Sequence, residues 1–322
     1  MNFKIKAMFT ALIVMMAMTA NSIEASLLDQ AKITIKVIDE QGVPVEHADV
    51  RIRFQINTQK KNNGIDGVTK SDGTVGGTTS TNGHVGFRVI KTGYYESWSS
   101  YDFKDKSTMR WEPWNPEIKV VIRKIENPVP MYARDTNESR INIPETGKEV
   151  GFDLIAYDWV KPYGKGKIAD LNCTLYVRSS GLRDAEYKVK INFPGQFNGI
   201  QSLEEELMHG SEFKLPRFAP VDGYQKNMNV FIEFKPGGGG KWSFKKNMNY
   251  MFRIRSEVEK GKLIKAMYGK ILGDIDVGTN MDGTAFLKFK YYLNPDYTTN
   301  LEFDPKRNLF LNLPRSEQVR IK

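Results

Sequence analysis

The chain has 322 residues, 40% hydrophobic and 11% aromatic, which is enough apolar material for about two domains and excludes disorder as a description of the whole. Its 47 Lys and Arg outnumber 38 Asp and Glu, a net charge of +9 that favours polyanions or anionic membranes as neighbours; its 27 Gly and 14 Pro speak against a helical bundle. The single cysteine, Cys173, excludes an intramolecular disulfide and any metal site built from cysteines.

Residues 1–25 read as a cleavable secretory signal. Lys4 and Lys6 make a positive start, residues 7–20 are almost unbrokenly apolar, and small residues follow. Cleavage after Ala25 is expected, with Ala20 as a competing site. The apolar run is shorter than the roughly 20 residues a span needs, so an uncleaved membrane helix is the weaker alternative. No later segment is apolar enough to be transmembrane, and no cysteine stands near the cleavage point to take a lipid. The mature chain is therefore expected to be secreted, periplasmic or held at the cell surface, with no integral membrane segment.

From there the chain alternates like strands. Ile33, Ile35 and Val37 share one face until Asp39-Glu40-Gln41-Gly42 makes a turn. Val50, Ile52, Phe54 and Ile56 share the next, against Arg51, Arg53 and Gln55. Residues 57–83 are poor in large apolar side chains and hold Ser71-Asp72-Gly73 and Thr81-Asn82-Gly83 turns. Val85, Phe87 and Val89 resume the alternation, and Ile118, Val120 and Ile122 close it. Residues 26–126 thus predict a small antiparallel sandwich.

Within it, the run from Val37-Ile38-Asp39-Glu40-Gln41-Gly42-Val43-Pro44-Val45 to Ala48-Asp49-Val50, followed by Ser71-Asp72-Gly73 and Thr81-Asn82-Gly83-His84-Val85-Gly86-Phe87, resembles the carboxypeptidase regulatory-like domain. The likeness covers about 90 residues, and here the hairpin signature is stretched by a Gly- and Thr-rich insertion. It implies a transthyretin-like, Ig-like β-sandwich that is accessory or adhesive rather than catalytic. The chain as a whole resembles secreted bacterial proteins, a likeness that brings no site residues.

Asn127-Pro128-Val129-Pro130 breaks the rhythm, so residues 127–148 are expected to be a linker or a strap. Residues 150–154, 169–179, 187–193, 230–234, 250–255 and 284–293 alternate again, and 202–208 is the one helix-like stretch, too short to dominate. Residues 149–322 predict a second, larger β-sandwich, with a jelly roll as one form it can take. The fold class is all-β.

Candidate chemistry is sparse. Of the three histidines, His47 and His84 stand near turns where Glu46 or Asp49 could join them in a zinc or copper site, and His209 has no histidine partner in its block; isolated surface histidines are the expectation, and no H-E-x-x-H, G-x-S-x-G, Walker or dinucleotide motif occurs. Paired carboxylates are all that glycoside hydrolysis needs, and Asp153, Asp158 and Asp170 around Tyr157 and Trp159, or Glu302 and Asp304, are the candidates. Residues 273–283 cluster Asp274, Asp276, Asn280 and Asp282 without the spacing of a calcium loop, so a plain turn at Asp282-Gly283 is the expectation. No cofactor and no metal site are expected.

The strongest local signal is aromatic. Tyr94, Tyr95, Trp98, Trp111 and Trp114, with Tyr101 and Phe103, crowd residues 93–116 among Ser, Asp and Pro. Such rings either stack on sugars or fill a protein interface, or they fold back to seal the junction between the domains. Lysines concentrate at 161–167, 241–246 and 260–270 without a basic helix or an RNA-binding signature, so nucleic acid is not the expected partner. The expected function is a non-catalytic binding or structural protein of the cell envelope, with a glycan or another envelope protein as partner through residues 93–116; a carbohydrate-active enzyme with a carboxylate pair in the second domain is the alternative.

Overall fold

A computed structural model of the chain describes residues 29–56, 62–181, 184–204 and 211–322. The predicted signal, residues 205–208 of the helix-like stretch and His209 lie outside the described residues. Among the described residues there is no α-helix, only strands and one 3-10 turn, Arg315–Glu317. None is part of a helix long and apolar enough to cross a membrane. The described chain divides into two compact units, 29–125 with 211–212, and 126–204 with 213–322.

The first unit contains β1 (Gln30–Ile38), β2 (Asp49–Gln55), β3 (Asn62–Val68), β4 (Thr74–Ser80), β5 (His84–Ile90), β6 (Ser97–Asp102), β7 (Asp105–Ser107), β8 (Arg110–Glu112) and β9 (Glu117–Val121). One sheet runs β4-β1-β8-β7, with β9 also paired to β1; the other runs β3-β2-β5-β6. The alternation read from the sequence explains the sandwich. Ile33, Ile35 and Val37 of β1 are fully buried against Val50, Ile52 and Phe54 of β2 and Val85, Phe87 and Val89 of β5. The predicted turns are stapled by their own side chains: Asp39 Oδ1 accepts the N–H groups of Gln41 (2.9 Å) and Val43 (2.8 Å), and Asp72 Oδ1 that of Thr74 (2.9 Å).

The stretch poor in apolar residues holds two strands, β3 and β4. Both are edge strands of their sheets. Their inner faces are carried by one large residue each, Ile65 and Val75, which pack on the core. Each large residue sits over a glycine of the other strand: a Cβ on Gly77 would meet Ile65 Cδ1 at 2.4 Å, and one on Gly67 would meet Val75 Cγ2 at 2.6 Å. Glycine in the slot facing an apolar side chain erases the periodicity by which a strand is recognised.

The second unit contains β10 (Val129–Asp135), β11 (Ile141–Asn142), β12 (Glu149–Asp153), β13 (Asp158–Trp159), β14 (Leu171–Gly181), β15 (Asp184–Asn192), β16 (Gly199–Glu204), β17 (Asn227–Phe234), β18 (Gly240–Trp242), β19 (Met248–Glu259), β20 (Lys262–Thr279), β21 (Ala285–Asn294) and β22 (Phe303–Asn308). They form one sheet of order β16-β19-β20-β21-β10-β22, with β11 on β21, and another of order β13-β12-β14-β15-β17-β18. Side chains of both meet in one core, among them Phe152, Leu175, Val189, Ile191, Val230, Phe252, Ile271 and Tyr291.

Strand pairing corrects two expectations and adds a strand that the alternation did not show. Residues 127–148 are not a linker: β10 lies inside a sheet between β21 and β22, with Met131 and Ala133 fully buried. Its prolines escape the ladder because Pro128 precedes the strand and Pro130 falls at an irregularity in the pairing with β22. Residues 202–204 are not helical but continue β16 along β19, Ser202 opposite Tyr250 and Glu204 opposite Met248. The sheet edge supplies hydrogen bonds that so short an isolated helix cannot. β20, the longest strand, takes in both a lysine concentration and part of the acidic cluster. A register shift between Leu272 and Asp276, with Gly273 at φ 81°, breaks its period.

Candidate functional site

The carboxylate candidates are all engaged, and Asp153, Asp170 and Glu302 are buried. Asp153 and Asp170, in line with the expected grouping, do come together, but around Arg255. Arg255 donates from Nε to Asp170 Oδ1 (2.8 Å) and from Nη2 to Asp170 Oδ2 (2.9 Å) and Asp153 Oδ1 (2.8 Å). Backbone N–H groups take most of the other acceptor positions: those of Ile155 and Ala156 bind Asp153 Oδ1, those of Lys167 and Ile168 bind Asp153 Oδ2, and that of Leu154 binds Asp170 Oδ2. Burial works to raise both carboxyls. At Asp153 the N–H groups of Ala156, Lys167 and Ile168, and then Arg255, outweigh it and hold the group below its ordinary value. At Asp170 burial prevails over Arg255 and pushes the carboxyl up. Arg255 reaches them because β19 bulges between Ile254 and Glu257 and Arg255 adopts φ 51°.

The other carboxylates do not join this pair. Asp158 caps its own turn, accepting from the N–H groups of Trp159 and Lys165, both at 2.8 Å. Glu302 is fully buried and accepts the N–H groups of Glu126 (3.0 Å) and Asn127 (2.9 Å), with Arg217 Nη1 2.8 Å away. Asp304 faces Arg307 (2.7 Å). In the acidic cluster Asp274 accepts from Tyr250 and from the N–H of Lys245, while Asp282 ties down Thr284 in a turn. Cys173 is buried, which pushes its thiol up to about 12. His84 Nδ1 lies 2.6 Å from Asp102, and His47, exposed, lies 3.7 Å from Glu46.

The aromatic residues of 93–116 separate by sheet face rather than forming one loop. Trp111 is 7% exposed and belongs to the first unit's core; its Nε1–H donates to the Thr81 carbonyl at 3.0 Å. Tyr95 is buried, and Tyr94 is half-buried against the same core. Trp98 is 48% exposed on β6, and Trp114 is 37% exposed beyond β8, with the Arg110 guanidinium 5.5 Å from its ring. β6 and β8 belong to different sheets, so the two exposed rings do not share a platform.

What surrounds Trp98 follows from register. Directly opposite residues share a sheet face, and the pairing sets Asp66, Arg51, Arg88 and Trp98 in one row across the four-stranded sheet. The adjacent row is Gly64, Arg53, Gly86 and Ser100. The position of a Cβ on Gly86 has no atom within 4 Å, so a bare strip lies beside the ring. Arg88 is held by Glu96, and Arg53 by Asp66 at 2.5 Å. The arginines carry no distinct signal in the sequence because they appear only as the polar phase of strands β2 and β5; the sign available was their pairing with a tryptophan-bearing strand. The exposed face thus combines a flat ring, fixed guanidinium groups and open backbone, which suits stacking on a ring with hydrogen-bond donors beside it.

No protein-family model matches the chain, and comparison with curated proteins finds no significant relative. Matches among solved structures include a 3-chlorocatechol 1,2-dioxygenase from Rhodococcus opacus 1CP, 13% identical over 30% of this chain and 60% of that one, with a TM-score of 0.26. A streptococcal ancillary pilin is 11% identical over 76% of this chain and 59% of its own (TM-score 0.24). The chain therefore spans about six tenths of each of these two proteins. BcpA, the major pilin subunit of Bacillus cereus, is 9% identical over 85% of this chain and 98% of its own, also with a TM-score of 0.24. Overlap at that level carries no argument about activity or partner.

Proposed function

We propose that the mature chain works outside the cytoplasmic membrane as a non-catalytic binding or structural protein of the cell envelope. In this reading its first sandwich is a carboxypeptidase regulatory-like domain that presents the Trp98 face to a glycan. The observation that carries it is the placement of Trp98 on the outward side of β6, beside Arg88 and the side-chain-free strip at Gly86. Trp98 stacks on a sugar ring while Arg88 and Ser100 meet its hydroxyls. The enzymatic alternative would draw on Asp153 and Asp170, whose oxygens are taken up by Arg255 and backbone N–H groups. That is why the non-catalytic reading is preferred.

A glycan array probed with the mature chain is expected to give a hit that Trp98→Ala weakens about tenfold or more, as loss of an aromatic anchor does. Trp114→Ala leaves the same hit within about twofold, below the roughly 1.4 kcal/mol of a tenfold change. A clean array, or a hit indifferent to Trp98, overturns the proposal. For the address, N-terminal sequencing of the exported protein is expected to begin at Ser26; retention of residues 1–25 overturns it.

A further inference from the structure

The first unit leaves one sheet edge unguarded. β4, Thr74-Val75-Gly76-Gly77-Thr78-Thr79-Ser80, ends the sheet that continues through β1, and among the described residues no strand pairs with its outer side. Natural sheets protect such edges with charges, prolines, bulges or brevity, because a row of open N–H and C=O groups is a template for another extended chain. β4 has none of these. It carries no charged residue and no proline, and its pairing with β1 runs from Thr74 to Ser80 without a register shift. The other strands at sheet ends, where longer than two residues, each carry charge, among them β3 with Asp66, β18 with Lys241 and β22 with Asp304, Lys306 and Arg307 around its proline.

The ladder decides which backbone groups of β4 face outward. Thr34 of β1 turns its N–H away from β4, to the Pro116 carbonyl at 3.0 Å, whereas Val37 donates on the β4 side, to the Gly73 carbonyl at 2.8 Å. Hydrogen-bonded and non-hydrogen-bonded pairs alternate along an antiparallel ladder, so Ala31, Ile33 and Ile35 hold β4 through their partners Thr79, Gly77 and Val75. The N–H and C=O groups of Gly76 and Thr78 therefore point outward, and these are the two exposed residues of the strand.

We infer that β4 pairs antiparallel with β4 of a second copy of this chain, about a two-fold axis at Gly77. Gly76 of each copy then stands opposite Thr78 of the other, and each such pair exchanges both of its N–H···O=C bonds. Gly77 meets its own counterpart in a non-hydrogen-bonded pair, where Cα atoms approach to about 4.5 Å and two residues without side chains fit. A second copy suits this edge better than a foreign strand. The outer face of β4 shows only Thr74, Gly76, Thr78 and Ser80, with no large or charged side chain to select a partner, while a two-fold pairing draws both halves from the same neutral surface. The register also keeps like charges apart: Lys32, opposite Thr78, falls in the row of Thr34 of the second copy, and Lys36, opposite Thr74, in the row of Gln30.

Sedimentation velocity of the mature chain over a micromolar concentration series is expected to show a monomer–dimer equilibrium. Thr78→Pro removes an outward N–H while leaving the ladder to β1 intact, and lowers the dimer affinity by about tenfold or more. Thr78→Lys supplies the charge that the other edges carry and has the same effect. Thr78→Val keeps the backbone groups and the strand preference, so its dimer persists within about twofold. Trp98→Ala leaves the dimer unchanged, which separates this pairing from the glycan reading of the same unit. A chain monomeric at every concentration leaves the edge to a strand of another protein and overturns the inference, as does a dimer indifferent to both Thr78→Pro and Thr78→Lys. If the proline variant melts early, the lysine variant decides, with amide exchange as a second readout: the Gly76 N–H exchanges about tenfold or more slowly in the wild-type dimer than in the lysine variant, and equal rates overturn the pairing.

Discussion

Arg255→Ala is expected to destabilise the second unit by about 3–5 kcal/mol, the cost of leaving buried charge without its partner. Asp153 and Asp170 are nearly inaccessible, and among the described residues Arg255 is the one cation that bridges them. The variant keeps the backbone donors of Asp153 but leaves Asp170 with the single N–H of Leu154. Urea denaturation of wild type and variant at pH 7 measures the loss; a change under about 1 kcal/mol would overturn the assignment of this cluster as a structural centre.

The pH dependence has a definite sign. Asp153 lies below its ordinary value, so its contribution to stability is present above the ordinary carboxylate range near 4 and is lost as pH falls through the lower, folded value. Asp170 lies above its ordinary value, so it costs stability at neutral pH and that cost is relieved as pH falls. Removing Arg255 raises Asp170 further. The deficit of the variant relative to wild type is therefore expected to shrink between pH 7 and about pH 4.5. A deficit that grows over that interval would contradict these two directions of shift.

Trp111→Ala is expected to cost the first unit about 3–5 kcal/mol, whereas Trp98→Ala changes stability by no more than about 0.5 kcal/mol. The two rings lie 13 residues apart in the same aromatic run, yet only one fills the core. Trp111 packs near Phe103, at a centroid distance of 6.3 Å, and covers Gly83, where a Cβ would lie 2.7 Å from the indole. Its loss opens a cavity between the sheets and orphans the Thr81 carbonyl that its Nε1–H satisfies. Thermal or urea unfolding followed on both variants checks the contrast, and equal losses would refute the division between core and surface rings.

How much of the fold is legible in the sequence differs by element. β1, β2 and β5 are readable because each puts three or more branched or aromatic side chains on one face at period two. β3 and β4 are not, because their inner faces alternate a large residue with glycine. β20 is hidden by its bulge and by Lys270, a charged residue fully buried on the face opposite the main core, where its ammonium donates to the Leu301 carbonyl at 2.6 Å.

Taken by itself, the sequence determined that the chain is strands joined by turns, since the period of two and the Asp-Gly and Asn-Gly turns are local properties of consecutive residues. Tertiary structure decided which face of each strand is covered. Period two sorts side chains into two sets without saying which set meets another sheet, so Trp98 and Trp111 were equivalent until the sheets were paired. It also decided which distant charges meet. Arg255 stands 102 residues from Asp153 and 85 from Asp170, and only the packing of β12 and β14 against a bulge in β19 brings the three side chains together.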